Sequence, residues 1–133
     1  MQERESYQVR TRKRKPVKPP PSLKHSCETI TGMLRERARE LPDHLAVVSG
    51  DTRWTYAELY DRASHIASGL LRLGLDPGDR VIVQLPNIAE FFSVVFGCIH
   101  AGLVPVFTLP AHRTTEIRHF VQQAEASAYV IPG

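Results

Sequence analysis

The stretch RVIVQLPNIAEFFSVVFGCIHAGLVPVFTLP, residues 80–110, decides the fold. Residues 81–85 form a short run rich in β-branched side chains, the composition of a strand covered on both faces in a parallel sheet. Pro86 stops that strand, and Asn87 is placed to cap the helix that follows. The helix carries Ile88, Phe91, Phe92, Val94, Val95, Phe96, Cys98 and Ile99 on every face rather than along one stripe, so it must be surrounded by protein. Gly102 suits the left-handed position that ends a helix, and residues 104–107 return as a strand parallel to the first. The whole reads as one βαβ unit. A membrane span over residues 91–107 is the competing reading. His100, two glycines and Pro105 interrupt it, and the apolar run is shorter than a bilayer requires.

Downstream, residues 108–113 form a loop, and Thr114 is placed to cap a helix with Ile117, Phe120, Val121 and Ala124 on one face. Residues 128–131 then make a third parallel strand. Upstream, Ile30, Met33, Leu34, Ala38 and Leu41 recur at helical spacing, and Pro42 ends that helix. Residues 45–49 and 52–55 are two strands joined by Gly50 and Asp51, a pair suited to a type II′ hairpin, with Trp54 in the core. Thr55 and Glu58 stand in the capping-box relation, and Leu59, Ala63, Ile66, Ala67 and Leu70 line one face of the helix they begin. Gly74 ends that helix before a turn at residues 76–79. The expected fold is α/β: a β-hairpin and helices, followed by a βαβαβ half of a doubly wound parallel sheet with right-handed crossovers.

The chain has 133 residues, 42% hydrophobic and 23% charged, enough for one domain with a sizeable core. Its net charge of +3 conceals an asymmetry. Residues 1–24 hold eight Lys or Arg against Glu3 and Glu5, about +6, which leaves the rest near −3. With the basic cluster at residues 10–15, the prolines at 19–21 and almost no apolar side chains, residues 1–26 read as a disordered basic leader. Clustered cations of this kind can contact nucleic acid or an anionic membrane; the plainer reading is a solvated leader, because no aromatic residues interleave them. Cys27 and Cys98 are far apart and Cys98 sits on the buried helix, which points to a reducing, cytoplasmic setting. The charged amino terminus has no apolar run of the secretory type.

Open α/β sheets take ligands beyond the carboxyl ends of their strands. Here those ends lead into Pro86 and Asn87, into the loop carrying His112 and Arg113, and into Pro132 and Gly133. Asn87, His112 and Arg113 are therefore the candidate residues on the ligand edge. Arg113 and the helix beginning near Thr114 could attract an anion through a guanidinium fork and free backbone donors. The alternative is a loop Arg paired with a carboxylate beside a solvated His. No Gly-x-Gly-x-x-Gly follows a strand, no Walker loop is present, and His25, His44, His65, His100, His112 and His119 are scattered without zinc-type spacing. His112 and His119 can align on one helix, but no third ligand accompanies them.

Two segments carry a resemblance. Trp54-Thr55-Tyr56-Ala57-Glu58-Leu59 resembles the first core motif of the acyl-adenylate-forming superfamily (AMP-dependent synthetases and ligases), and His100-Ala101-Gly102-Leu103-Val104-Pro105-Val106 resembles its second. Val83-Gln84-Leu85-Pro86-Asn87 followed by Glu90-Phe91-Phe92, and Leu109-Pro110-Ala111-His112-Arg113 followed by Glu116-Ile117, are most similar to the branch of 2,3-dihydroxybenzoate-AMP ligases and salicylate-AMP ligases of siderophore synthesis. The resemblance covers residues 29–133, with motif order and spacing intact.

It implies that residues 27–133 are the truncated amino-terminal portion of an adenylate-forming domain. Full-length members couple a carboxylic acid to ATP with Mg²⁺, release pyrophosphate and pass the acyl group to a thiol, here a carrier-protein phosphopantetheine. The implied partners are an aryl acid, ATP, an aryl carrier protein and the missing remainder of the enzyme, with neither a membrane nor nucleic acid among them. The phosphate loop, the aryl-binding motif, the ribose-binding Asp and the catalytic Lys of the family lie downstream of residue 133. The two motifs present belong to the scaffold, so no catalytic, cofactor-binding or metal residue transfers to this chain, and no cofactor is expected for it alone. The expected function is that of a fragment not competent by itself. A non-catalytic interaction module with a basic tail, or one half of a split adenylating enzyme, are the alternatives. The basic, proline-rich leader departs from the family, whose members approach the first helix through an aromatic and glycine-containing segment.

Overall fold

The computed structural model describes residues 29–132. The reading of the leader and Cys27 lies outside them. Thr29 caps α1 (Ile30–Glu40), its hydroxyl accepting from the Gly32 N–H at 3.0 Å. The hairpin follows as β1 (Leu45–Ser49) and β2 (Thr52–Thr55), antiparallel and joined through Gly50 and Asp51. The next helix, α2 (Tyr56–Arg72), starts at the expected capping box. Glu58 Oε2 accepts from the Thr55 N–H at 2.8 Å, and Thr55 Oγ1 accepts from the Glu58 N–H at 3.3 Å. Trp54 is buried beside it, with the Arg62 guanidinium 4.3 Å from its ring centre.

The parallel sheet consists of β3 (Arg80–Val83), β4 (Val104–Phe107) and β5 (Ala128–Val130), in the order β4-β3-β5. Helix α3 (Ala89–His100) links β3 to β4, and α4 (Thr114–Ala124) links β4 to β5. Because the chain steps from β3 to one side and returns on the other, crossovers of one hand place α3 and α4 on opposite faces. The side chains agree. Val81 and Val83 join Leu85, Ala67, Cys98, Ala101 and Leu103 in one buried cluster, whereas Ile82, also fully buried, faces the other way, as alternation along a strand requires. A second cluster, of Leu34, Val47, Trp54, Leu59, Ala63 and Ala89, holds α1 and the hairpin against α2 and α3.

Three local expectations are corrected. The strand predicted over residues 81–85 spans Arg80–Val83, with the Gln84 N–H still bonding the Val130 carbonyl of β5 at 2.9 Å. Asn87 does not cap α3: the cap position belongs to Ile88, without a side-chain bond, and Asn87 is exposed in the preceding turn. Thr114 is the first residue of α4, whose cap position is Arg113. There Glu116 Oε2 accepts from the Arg113 N–H at 3.0 Å, the carboxylate half of a capping box, and no hydroxyl caps the helix.

The described residues cover α3 only in part. Its most buried positions are Ala89, Ser93, Gly97 and Cys98, three of them small residues four apart. A Cβ on Gly97 would fall 2.6 Å from Ile66 Cγ2 and 3.1 Å from the Ala63 carbonyl oxygen, so the missing side chain is what lets α2 and α3 approach. The bulky residues lie on the flanks, and Phe92 remains 45% exposed. After α3, Gly102 takes a φ of 76° and its carbonyl accepts from the Gly78 N–H at 2.8 Å, docking the turn at residues 76–79 beside the sheet.

Candidate functional site

The polar residue in the apolar run VIVQLP organises the carboxyl edge of the sheet. Gln84 follows β3, and its Nε2 donates to the Leu109 carbonyl at 2.9 Å and to the His112 carbonyl at 2.8 Å. Its Oε1 accepts from the Tyr129 hydroxyl on β5. One amide thus ties together the carboxyl ends of all three strands, and its side-chain donors and acceptor are satisfied where half-burial would otherwise make them costly.

A cleft of about 540 Å³ opens at this point, lined by Gln84, His112, Arg113, Thr114, Ile117, Arg118 and Tyr129. It sits between β3 and β5, where the direction of strand succession reverses, the position at which open α/β sheets form their ligand crevice. Two of the three candidate residues, His112 and Arg113, line it. Asn87 does not. Gln84, Tyr129 and Arg118 were missed by sequence reasoning. A lone amide among β-branched residues was the available signal for Gln84, whereas Tyr129 and Arg118 join it only through the β3–β5 pairing and the seating of α4.

The electrostatics are cationic. Among the described residues neither the Arg113 nor the Arg118 guanidinium takes part in an ion pair or hydrogen bond. The nearby carboxylate, Glu116, is held below its ordinary pKa of 4.5 by its own and the Arg113 backbone N–H, with the His112 charge adding to the effect. It therefore stays ionised while serving the helix start. His112 is half-buried rather than solvated: its Nδ1 accepts from the Leu109 N–H at 3.1 Å, and its ring lies 5.1 Å from that of Phe120. When neutral it carries its proton on Nε2. His119 also flanks Phe120, 6.0 Å away. Two guanidinium side chains line the cleft, and its lining presents neither a nucleophile with a partnered base nor a poised acid.

A second cleft of the same volume lies between α2 and the start of α3, lined in part by Trp54, Glu58, Asp61, Arg62 and Glu90. Three of its groups are engaged structurally: Glu58 in the capping box, Arg62 over Trp54, and Asp61 3.4 Å from His65. Among the described residues no group of three or more His, Cys, Asp or Glu could hold a metal ion, and no helix is long and apolar enough to cross a membrane.

Both resemblance motifs now have a physical account. In the first, Trp54 and Leu59 are core and Thr55 and Glu58 start a helix; in the second, Ala101 and Leu103 are core and Gly102 makes the exit turn.

Comparison with known proteins converges. The sequence profile of the AMP-binding enzyme family matches residues 34–132. The chain is 48% identical over 112 residues to the 2,3-dihydroxybenzoate-AMP ligase of Bacillus subtilis, covering 82% of this chain and 21% of that protein. It is 40% identical over 111 residues to the salicyl-AMP ligase / salicyl-S-ArCP synthetase of Mycobacterium tuberculosis, covering 80% and 20%. Among solved structures, apo MbtA of Mycobacterium smegmatis superposes with a TM-score of 0.71 at 50% identity, over 74% of this chain and 19% of that one. The N-terminal domain of FACL13 from Mycobacterium tuberculosis gives 0.70 at 32% identity, over 74% and 25%. The chain spans about a fifth of the length of the curated relatives it matches. With the profile, the identities and the fold in agreement, the chain belongs to the AMP-binding enzyme family and corresponds to the amino-terminal portion of its adenylate-forming fold.

Proposed function

We propose that this chain is the amino-terminal portion of an aryl-acid AMP ligase, which activates 2,3-dihydroxybenzoate or salicylate with ATP and transfers the acyl group to a carrier-protein thiol in siderophore-type biosynthesis. The observation that carries the reading is 48% identity to a 2,3-dihydroxybenzoate-AMP ligase across 82% of this chain, joined to its span of only 21% of that protein. In this reading the chain is scaffold and is not competent by itself. Residues 27–133 supply the start of the domain, and residues 1–26 a basic leader outside it. His112 and Arg113 on the cleft, with Asn87 in the turn after β3, are ligand-edge residues of the complete enzyme, and none is catalytic. A cytoplasmic location goes with this chemistry.

The described residues do not fit Mg²⁺. The charged side chains lining the cleft are Arg113 and Arg118, and among the described residues no group of three or more His, Cys, Asp or Glu could hold a metal ion. ATP phosphates and their metal are therefore assigned to the remainder of the protein.

The test is pyrophosphate exchange with salicylate and with 2,3-dihydroxybenzoate, on the 133-residue chain alone and on the native protein isolated from its source with its mass determined. Acid-dependent exchange by a native protein several times 15.0 kDa, and none by the chain alone, is the expected result. A native mass near 15.0 kDa without exchange overturns the fragment reading in favour of an interaction module. The same mass with exchange restored by a second polypeptide identifies a split enzyme.

A further inference from the structure

The loop that brings His112 and Arg113 to the cleft is closed by a histidine acting as an acceptor. After β4, residues 109–112 make a turn: the His112 N–H donates to the Leu109 carbonyl at 3.0 Å, with Pro110 at the second position. The His112 side chain then reaches back, and its Nδ1 accepts from the Leu109 N–H at 3.1 Å. Both backbone groups of Leu109 are thereby engaged by one residue. The Gln84 amide joins the same turn from the end of β3, donating to the Leu109 and His112 carbonyls. His112 Nε2 has no hydrogen bond among the described residues, so the ring is held through Nδ1 and by its contact with Phe120 of α4. That arrangement suits one protonation state. An imidazolium carries a proton on both nitrogens, which would set two donors 3.1 Å apart with no acceptor between them.

We propose that the turn at residues 109–112 is a proton-sensitive latch: neutral His112 holds it closed, and protonation of the ring opens it, loosening Arg113 at the mouth of the cleft. Imidazole chemistry sets the range, since histidine is the side chain that changes charge between about pH 5 and 8. The charged groups around His112 come from α4 and its cap. Glu116 favours the imidazolium, Arg113 and Arg118 on the same cleft oppose it, and His119 flanks Phe120 as His112 does. The end of β3 contributes the uncharged Gln84 amide, and β5 the Tyr129 hydroxyl, which is bonded to Gln84. Opening the latch therefore adds a third cation beside two guanidinia and releases a donor to the Gln84 network, so acid changes the charge and the shape of the cleft together. The latch is built from this chain's own residues and does not depend on the ligase reading.

The experiment is heteronuclear NMR of the 133-residue chain, titrated from about pH 8 to about pH 5 at a concentration below that at which it associates. Long-range nitrogen–proton spectra of the imidazole should show His112 as the Nε2–H tautomer at the alkaline end. As the ring takes up its proton, the Leu109 amide and the Gln84 side-chain amide should shift with the midpoint of His112 itself. The exchange protection of the Leu109 and His112 amides should fall about tenfold across the same range, while α2 keeps its own. His112→Asn puts a side-chain oxygen where Nδ1 stands and does not titrate, so the Leu109 transition should vanish with the turn still closed. His119→Gln should leave the transition in place. An Nδ1–H tautomer at the alkaline end, a Leu109 amide that ignores the protonation of His112, or a transition that persists in His112→Asn overturns the latch. Should that variant not fold, the tautomer and the shared midpoint in the wild-type chain decide the matter.

Discussion

Gly97 of α3 lies against Ile66 of α2 so closely that a Cβ at Gly97 would stand 2.6 Å from Ile66 Cγ2 and 2.8 Å from Ile66 Cβ. Neither contact is with the far end of a flexible chain, and the Ala63 carbonyl oxygen blocks retreat at 3.1 Å. Gly97→Ala should therefore destabilise the chain by about 1–3 kcal/mol despite the better helix propensity of alanine, read as a lower urea midpoint. An unchanged or raised midpoint would mean that α2 and α3 part without cost.

Gln84 gives a second prediction. Tyr129→Phe removes the donor to Gln84 Oε1, and Gln84→Ala removes the partner of the Leu109 and His112 carbonyls. The first should cost about 1 kcal/mol and the second about 1–3 kcal/mol. Both should speed exchange of amides in residues 109–112 more than in α2. Uniform acceleration across the chain would show that Gln84 supports global stability rather than the loop.

Acid should act on the start of α4. The Glu116 carboxyl titrates below its unfolded value near 4.5, so its contribution is fully present above that pH and is lost as pH falls through the lower, folded value. Glu116→Gln should destabilise α4 at pH 7 and remove part of the acid dependence below pH 4.5. Retention of the full wild-type acid slope in the variant would exclude Glu116 as its source. Asp79, held low by the Asp76 N–H and Ser127, contributes in the same direction.

Cys98 should be inert. Burial pushes its thiol up to about 11, and the side chain is wholly inaccessible in the cluster under β3. Iodoacetamide at pH 8 should label Cys98 only in denaturant. Labelling in native buffer at the rate of a free thiol would show that α3 opens on the experimental timescale.

The isolated chain should also be adhesive. Phe92, Phe107 and Ile131 are 45%, 56% and 56% exposed at the margins of the sheet. Concentration-dependent association and binding of a hydrophobic dye are expected, both reduced by Phe107→Lys with Phe92→Lys. A dye-silent monomer with a sharp unfolding transition would contradict the need for additional cover.

Much of this molecule was determined by the sequence alone. The capping box at Thr55 and Glu58, the hairpin at Gly50 and Asp51, the exit of α3 at Gly102 and the three parallel strands all rest on local chemistry: a hydroxyl three residues from a carboxylate, a position needing φ above zero, a β-branched run between turns. The misplaced caps at Asn87 and Thr114 have one cause. A cap is chosen by where the backbone leaves the helix, and that is set by how α3 and α4 seat on the sheet.

Tertiary structure alone decided the rest. The bulky residues of α3 dominate its pattern, yet the position against which Ile66 of α2 packs without room for a Cβ is Gly97. His112 and Arg113 could be assigned to the carboxyl edge from topology. Their joining with Gln84, Arg118 and Tyr129 required the order β4-β3-β5, which places β5 beside β3 and is invisible to any local pattern.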